Sequence, residues 1–210
     1  MTKTELKQNI TKINKLLRSD SYEAGIELIK TLDDPEISKG TARTLSTIIK
    51  KFLKQRDYDA IDTGIELARG LDEPAVFEAL LGGWSINEDG KLVLEEGYKG
   101  ETLTKRWSDE SWPYFAYALV NLIGYAPKNT KVDKSLEHSK VKTLDFKKYP
   151  GMPVGMPTWL ELPSGLANLI NLTSLDLYYC NSLQNVDVLA NLANLASLDL
   201  YYCKSLQNVD

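Results

Sequence analysis

Aspartate, two adjacent tyrosines and a cysteine recur in fixed order near the end of the chain: Asp176, Tyr178, Tyr179 and Cys180 return as Asp199, Tyr201, Tyr202 and Cys203. The stretch that carries them, SLDLYYCNSLQNVD at 174–187, is restated as SLDLYYCKSLQNVD at 197–210, and only Asn181 against Lys204 differs. Carboxylate, phenol and thiol all have chemistry, so the spacing decides which is open to them. Thiols at equivalent places of a repeat can approach disulfide distance or share a metal. Without a nearby histidine they are a poor zinc set, and reduced cysteines buried in a turn are expected. An acid repeated at a fixed offset stacks on its own copy, where like charges about 5 Å apart repel by roughly 1 kcal/mol even in water. Packing does not require that cost. Either it serves a basic or hydrogen-bonding partner, with tyrosine adding rigid contact area, or the copies carry it from a parent repeat.

Other chemistries are weaker. SINEDGKLVLEE, Ser85 to Glu96, shadows a calcium loop, with Asn87, Asp89, Gly90, Leu92 and Glu96 at the right spacing. Ser85 stands where the first ligand should be aspartate, and Gly97 and Gly100 interrupt the helix that should follow, so a hairpin turn is the better reading. The single histidine, His138, lies in a polar stretch with no placed nucleophile. No glycine-rich phosphate loop or G-x-S-x-G motif occurs. The acidic pairs Asp33-Asp34, Asp72-Glu73 and Glu95-Glu96 read as helix-end or turn residues. The residues call for no cofactor and no metal, and an enzyme is not expected; a hydrolase using surface acids is the weakest alternative.

Composition agrees with a folded binding protein. The 210 residues are 43% hydrophobic and carry a net charge of −4, with no basic stripe for nucleic acid. The start lacks the apolar run of a secretory signal and no segment approaches a membrane span, so a cytoplasmic location is expected.

Three segments follow in order. Residues 1–82 read as helical hairpin repeats: Leu6, Ile10, Ile13 and Leu17 share one helix face, and a second helix through Ile26 and Leu32 stops before Pro35. LLRSDSYEAGIELIKTLDDPEI at 16–37 is echoed by FLKQRDYDAIDTGIELARGLDEPAV at 52–76, an offset of about 36 to 39 residues that suits stacked helix pairs. Residues 83–140 read as a connecting and capping region. It holds a hairpin turning at Asn87-Glu88-Asp89-Gly90 with Leu92-Val93-Leu94 returning, then an apolar helix with Pro113 in its first turn and Gly124 and Pro127 marking its end. Trp107, Trp112, Tyr114, Phe115 and Tyr117 crowd there, and packing is preferred to a ligand pocket.

Residues 141–210 hold the repeat. Leu175 and Leu177 alternate about Asp176 as a strand, and Leu183, Val186, Leu189 and Leu192 then point inward along a looser return; the pattern begins again at Leu195 and Leu198, offset by 23 residues. Coils of this kind stack about 4.8 Å apart around a shared core. Val141 to Tyr149 fits the same template as a first coil, and the extra residues before the next one fall near PGMPVGMPTW at 150–159.

Leu-x-x-Leu-x-Leu-x-x-Cys resembles the leucine-rich repeat signature, in the cysteine-bearing style of about 23 residues known from bacterial and plant proteins. The resemblance covers the last third and implies an α+β chain, helical hairpin repeats followed by a short solenoid with a parallel β-sheet. It also implies a non-catalytic scaffold for a protein partner, with the helical front covering the first coil's open end. The candidate binding residues are the outward strand positions Asp145, Lys147, Asp176, Tyr178, Asp199 and Tyr201, beside Thr143, Ser174 and Ser197; Tyr179 and Tyr202 fall at the rim. No nucleic acid or membrane partner is expected. The alternative is binding by the helical repeats with the coils as spacer. The chain stops at Asp210 without a polar cap, which predicts a fragment of a longer array, a shortened chain, or self-association through the last repeat.

Overall fold

In the segment Asp-Asp-Pro, and again in Asp-Glu-Pro, one helix ends and the next begins within three residues. Asp33 (φ 42°) and Asp72 (φ 44°) adopt the left-handed conformation that stops a helix. Asp34 and Glu73 then accept the N–H groups of Glu36 and Ala75 at 2.9 and 3.1 Å, and Pro35 and Pro74 enter the new helix where no N–H is required. The computed structural model describes residues 1–19, 22–94, 112–127, 140–145 and 159–207. Within them five helices come first: α1 (Lys3–Leu17), α2 (Tyr22–Leu32), α3 (Pro35–Leu53), α4 (Tyr58–Leu71) and α5 (Pro74–Leu81). Thr2 starts α1 with a reciprocal bond to Glu5, and Asp57 caps α4.

The 39-residue echo in the sequence has a structural meaning. α1 packs on α2 and α3 on α4, while α1, α3 and α5 pack side by side. Gly25 of α2 lies against Leu17, where a Cβ would meet its Cδ2 at 2.9 Å; Gly64 of α4 lies against Phe52 and Leu53, at 3.0 and 3.1 Å. Each Gly-Ile-Glu-Leu therefore marks where a second helix crosses the last turn of the first. The isoleucines and leucines of these helices face inward, with Ile13, Ile37, Leu45, Ile49, Ile61 and Leu80 at most 1% exposed.

β1 (Trp84–Ile86) and β2 (Leu92–Leu94) form the antiparallel hairpin expected at that place. The Asn87 side chain accepts the Lys91 N–H at 2.9 Å, and Gly90 takes the positive φ the turn needs (77°). α6 (Trp112–Tyr125) then leads to three short parallel strands, β3 (Thr143–Asp145), β4 (Ser174–Asp176) and β5 (Ser197–Asp199), paired in the order β3-β4-β5. Leu144, Leu175 and Leu198 stand in register, as do Asp145, Asp176 and Asp199. Two short 3-10 helices, Ser164–Asn168 and Asp187–Asn191, repeat on the return side, and Glu161 bridges Asn185 there in parallel. The fold is thus mixed helix and strand with a small parallel sheet.

The two halves share one core. The hairpin joins the sheet, since Lys91 bridges Thr143 and the Lys142 N–H reaches the Gly90 carbonyl at 2.8 Å. On the return side α6 lies against the first 3-10 helix so closely that a Cβ on Gly124 would fall 2.0 Å from the Gly165 carbonyl oxygen. Gly124 is the last residue but one of α6, which ends at Tyr125 ahead of Pro127 as expected, and it also serves as the contact point. Asn121 supplies the polar join: its Oδ1 accepts the buried Gly165 N–H at 2.7 Å. Trp159, 1% exposed, donates to the Pro113 carbonyl at 2.8 Å. Three aromatic residues of this helix pack: Phe115 is buried with its ring 6.0 Å from that of Trp84, and Tyr114 and Tyr117 lie on Tyr58 at 4.7 and 5.1 Å.

Burial falls along the repeat. Leu144, Leu175 and Leu177 are at most 1% exposed, whereas Leu198 of β5 is 39% exposed and Leu195, Leu200 and Leu206 are half-buried.

Candidate functional site

Both strands that carry the repeated residues end at the aspartate. Asp176 Oδ1 accepts the Tyr178 N–H at 2.9 Å and Asp199 Oδ1 accepts the Tyr201 N–H at 2.8 Å, so each carboxylate closes a turn. Tyr178 and Tyr201 consequently lie in the turn after the strand, a displacement from the strand position expected for them. The acidic row has a local role in that turn, which offsets its mutual repulsion through charge-assisted hydrogen bonds. Backbone pairing continues beyond the strands, with Leu177 N–H to Asp199 O at 2.9 Å and Tyr179 N–H to Tyr201 O at 2.8 Å.

The turn presents all four tyrosines together. Tyr178 stacks on Tyr201 at 5.5 Å and 17°, and Tyr179 on Tyr202 at 4.5 Å and 22°; within each copy of the repeat the neighbours meet edge to face at 4.4 Å. Tyr201 and Tyr202 are 59% and 39% exposed. Tyr179 (φ 65°) and Tyr202 (φ 62°) hold the left-handed conformation, which costs a bulky residue about 1–2 kcal/mol. Their rings reach the platform because of it. The repeat pattern places these two at the rim; the Tyr-Tyr pair restated intact is the signal for them, but the backbone reversal at the second tyrosine cannot be read from residue type.

Lys147, Tyr149, His138, Trp107, Glu95, Glu96, Val209 and nearly all of the 150–159 loop lie outside the described residues, and of Asp145 only its backbone register is described. Cys180 is buried, and Cys203 is half-buried with its Sγ 3.2 Å from the Leu177 carbonyl; both are free thiols. Burial pushes the Cys203 thiol pKa up, away from thiolate chemistry. The shadow of a calcium loop is a hairpin turn in which Asn87 serves its own backbone. Among the described residues no three His, Cys, Asp or Glu side chains gather as metal ligands, and no helix is long and apolar enough to cross a membrane.

A second surface lies between α2 and α4: a shallow groove lined by Lys30, Asp59, Asp62, Thr63, Glu66 and Leu67. Burial raises the Asp62 pKa, and Asp59 and Glu66 add to that, against the hydrogen bond from Tyr117 at 3.3 Å. Burial, then the Asp62 charge, raises Tyr117 in turn. Comparison of the chain with protein-family models, curated proteins and solved structures yields no match.

Proposed function

We propose that the chain is a non-catalytic binding scaffold of the leucine-rich-repeat kind, in which the coils of residues 141–210 form a short solenoid and grip a protein partner through Tyr178, Tyr179, Tyr201 and Tyr202 beside Asp176 and Asp199. One observation carries this reading. Two bulky residues occupy a backbone conformation that asparagine or glycine would hold without strain, and they do so where their rings build an exposed aromatic platform. Stacking returns about 0.5–1.5 kcal/mol per ring pair, which over the four ring contacts is of the same order as the strain, so the platform stands preformed and what it offers a partner is its exposed ring surface. Tyrosine supplies rigid, amphipathic contact area of the kind that anchors protein interfaces.

Selection of displayed random dodecapeptides on the full chain tests it. Peptides retained by the parent chain are expected to be lost when Tyr178 and Tyr201 are replaced by alanine, with the far-ultraviolet circular dichroism unchanged. Retention on that variant sinks the reading. The groove between α2 and α4 favours the second reading, binding by the helical region: peptides that survive the tyrosine changes but are lost on Glu66→Gln would move the site there.

A further inference from the structure

Apart from the tyrosine turn, we propose a further interaction surface: the outer edge of β5, which takes an extended segment of another protein, its leucines alternating as in the repeat, as one more parallel strand. The chain carries its own precedent. β5 docks on β4 in parallel, with the Thr173 carbonyl accepting the Ala196 and Ser197 N–H groups at 2.9 and 3.0 Å and the Leu177 and Tyr179 N–H groups reaching the Asp199 and Tyr201 carbonyls at 2.9 and 2.8 Å. One repeat later the same backbone groups are the Ala196 carbonyl and the Leu200 and Tyr202 N–H groups. This edge is held in the same shape: Asp199 closes its turn as Asp176 does, at 2.8 and 2.9 Å, and Tyr202 repeats the φ of Tyr179, 62° and 65°. β5 is the end strand of its sheet among the described residues, and an end strand is a template for pairing.

Identical side chains measure what a neighbour covers. Leu175 and Leu177 are 1% exposed, and Cys180 and Leu183 wholly buried, with the last copy beside them; Leu198 is 39% exposed, and Leu200, Cys203 and Leu206 are half-buried, with no further copy among the described residues. Between 172–183 and 195–206 the copies differ only at Thr173 against Ala196 and Asn181 against Lys204. The Thr173 hydroxyl bonds back to the Lys142 carbonyl at 3.0 Å, on the side of the preceding strand, so its loss at Ala196 leaves the outer edge unaltered. What fits beside 174–183 therefore fits beside 197–206, and its form is given: an extended backbone with leucines at period two. A second copy of the chain does not meet that need. A parallel strand docks through the edge that faces its predecessor, and in a second copy this edge is taken on β5 by β4, on β4 by β3, and on β3 by the bridge to Lys91. The strand comes from a different protein, with main-chain bonds supplying affinity and the leucine contacts supplying choice.

The probe is a fluorescein-labelled synthetic peptide with the sequence of residues 194–207, NLASLDLYYCKSLQ, titrated with the full chain under reducing conditions and read by fluorescence polarisation. Binding is expected. N-methylation of the peptide at the Ala196 and Ser197 positions removes the donors that face the docking edge and should weaken binding about tenfold, whereas N-methylation at the Leu198 and Leu200 positions, whose N–H groups face away, should change it by less than about twofold. Leu198→Lys in the chain should weaken binding by a factor similar to the first, with the far-ultraviolet circular dichroism unchanged. Absence of binding, equal loss from the two methylated peptides, or indifference to Leu198→Lys overturns the proposal. So does a dimer of the chain in sedimentation velocity that Leu198→Lys dissolves and the peptide does not, because the edge then belongs to a second copy.

Discussion

Replacing Gly124 with alanine puts the join between the helical half and the repeat to a test in which two rules disagree. Helix propensity favours alanine over glycine by up to about 1 kcal/mol, and Gly124 lies in the last turn of α6. Contact opposes it, because the new Cβ would stand 2.0 Å from the Gly165 carbonyl oxygen and 2.5 Å from its carbon. These are backbone atoms with no rotamer to escape into, so the 164–168 turn must retreat by more than an ångström. Its buried N–H bond to Asn121, 2.7 Å long, then stretches or breaks. Overpacking costs about 1–3 kcal/mol and an unsatisfied buried N–H about 1–3 kcal/mol more. After the gain in propensity, a net loss of about 1–5 kcal/mol is expected. Gly70 is the control: it also lies in a helix, α4, yet its Cβ would meet nothing nearer than Lys30 Nζ at 3.9 Å, so Gly70→Ala should gain up to about 1 kcal/mol. Urea denaturation with linear extrapolation measures both. If the two substitutions shift stability in the same direction, the reasoning from close approach is wrong.

Three further outcomes are expected. Asp62 has its folded pKa raised above the ordinary 3.8, so stability falls as pH rises through the window above that value, and its cost is fully present at neutral pH; Asp62→Asn should be more stable than the parent at pH 7, with the advantage vanishing in acid denaturation series below that window. Asp176→Ala should cost about 1 kcal/mol by thermal unfolding while Asp176→Asn costs less, because only the latter still accepts the Tyr178 N–H. Gly90→Ala meets both a positive φ of 77° and a Lys142 Cβ at 2.7 Å, and should lower stability by about 2 kcal/mol or more in the same unfolding assay.

Local chemistry was the part of the fold legible in advance. An acid pair before proline has few options, and Asp33-Asp34-Pro35 and Asp72-Glu73-Pro74 each end one helix and cap the next. Alternation about Asp176 and the 23-residue offset specify strands that repeat, and β4 and β5 pair in parallel at that offset. Contacts between distant segments leave weaker traces. Gly124 reads as a helix stop because glycine usually is one there; its use as a landing place for Gly165 depends on a partner forty-one residues away. Tyr178 escaped its expected strand position for a related reason: the aspartate two residues earlier captures its N–H and turns the chain. The inward leucines of the last coil were expected to be dry, but burial needs a neighbour on both sides, and Leu198 has one only on the β4 side among the described residues.

The turn of the hairpin is also tied to the parallel sheet. The Gly90 carbonyl accepts from Lys142, the Lys142 carbonyl from Thr173, and the Thr173 carbonyl from Ala196, at 2.8, 2.9 and 2.9 Å. These amides form one line that starts in the hairpin and runs through every strand of the parallel sheet. Each rung pairs with the one before it, so Tyr201 and Tyr202 stand at the far end of that line, three amide hydrogen bonds from the hairpin turn.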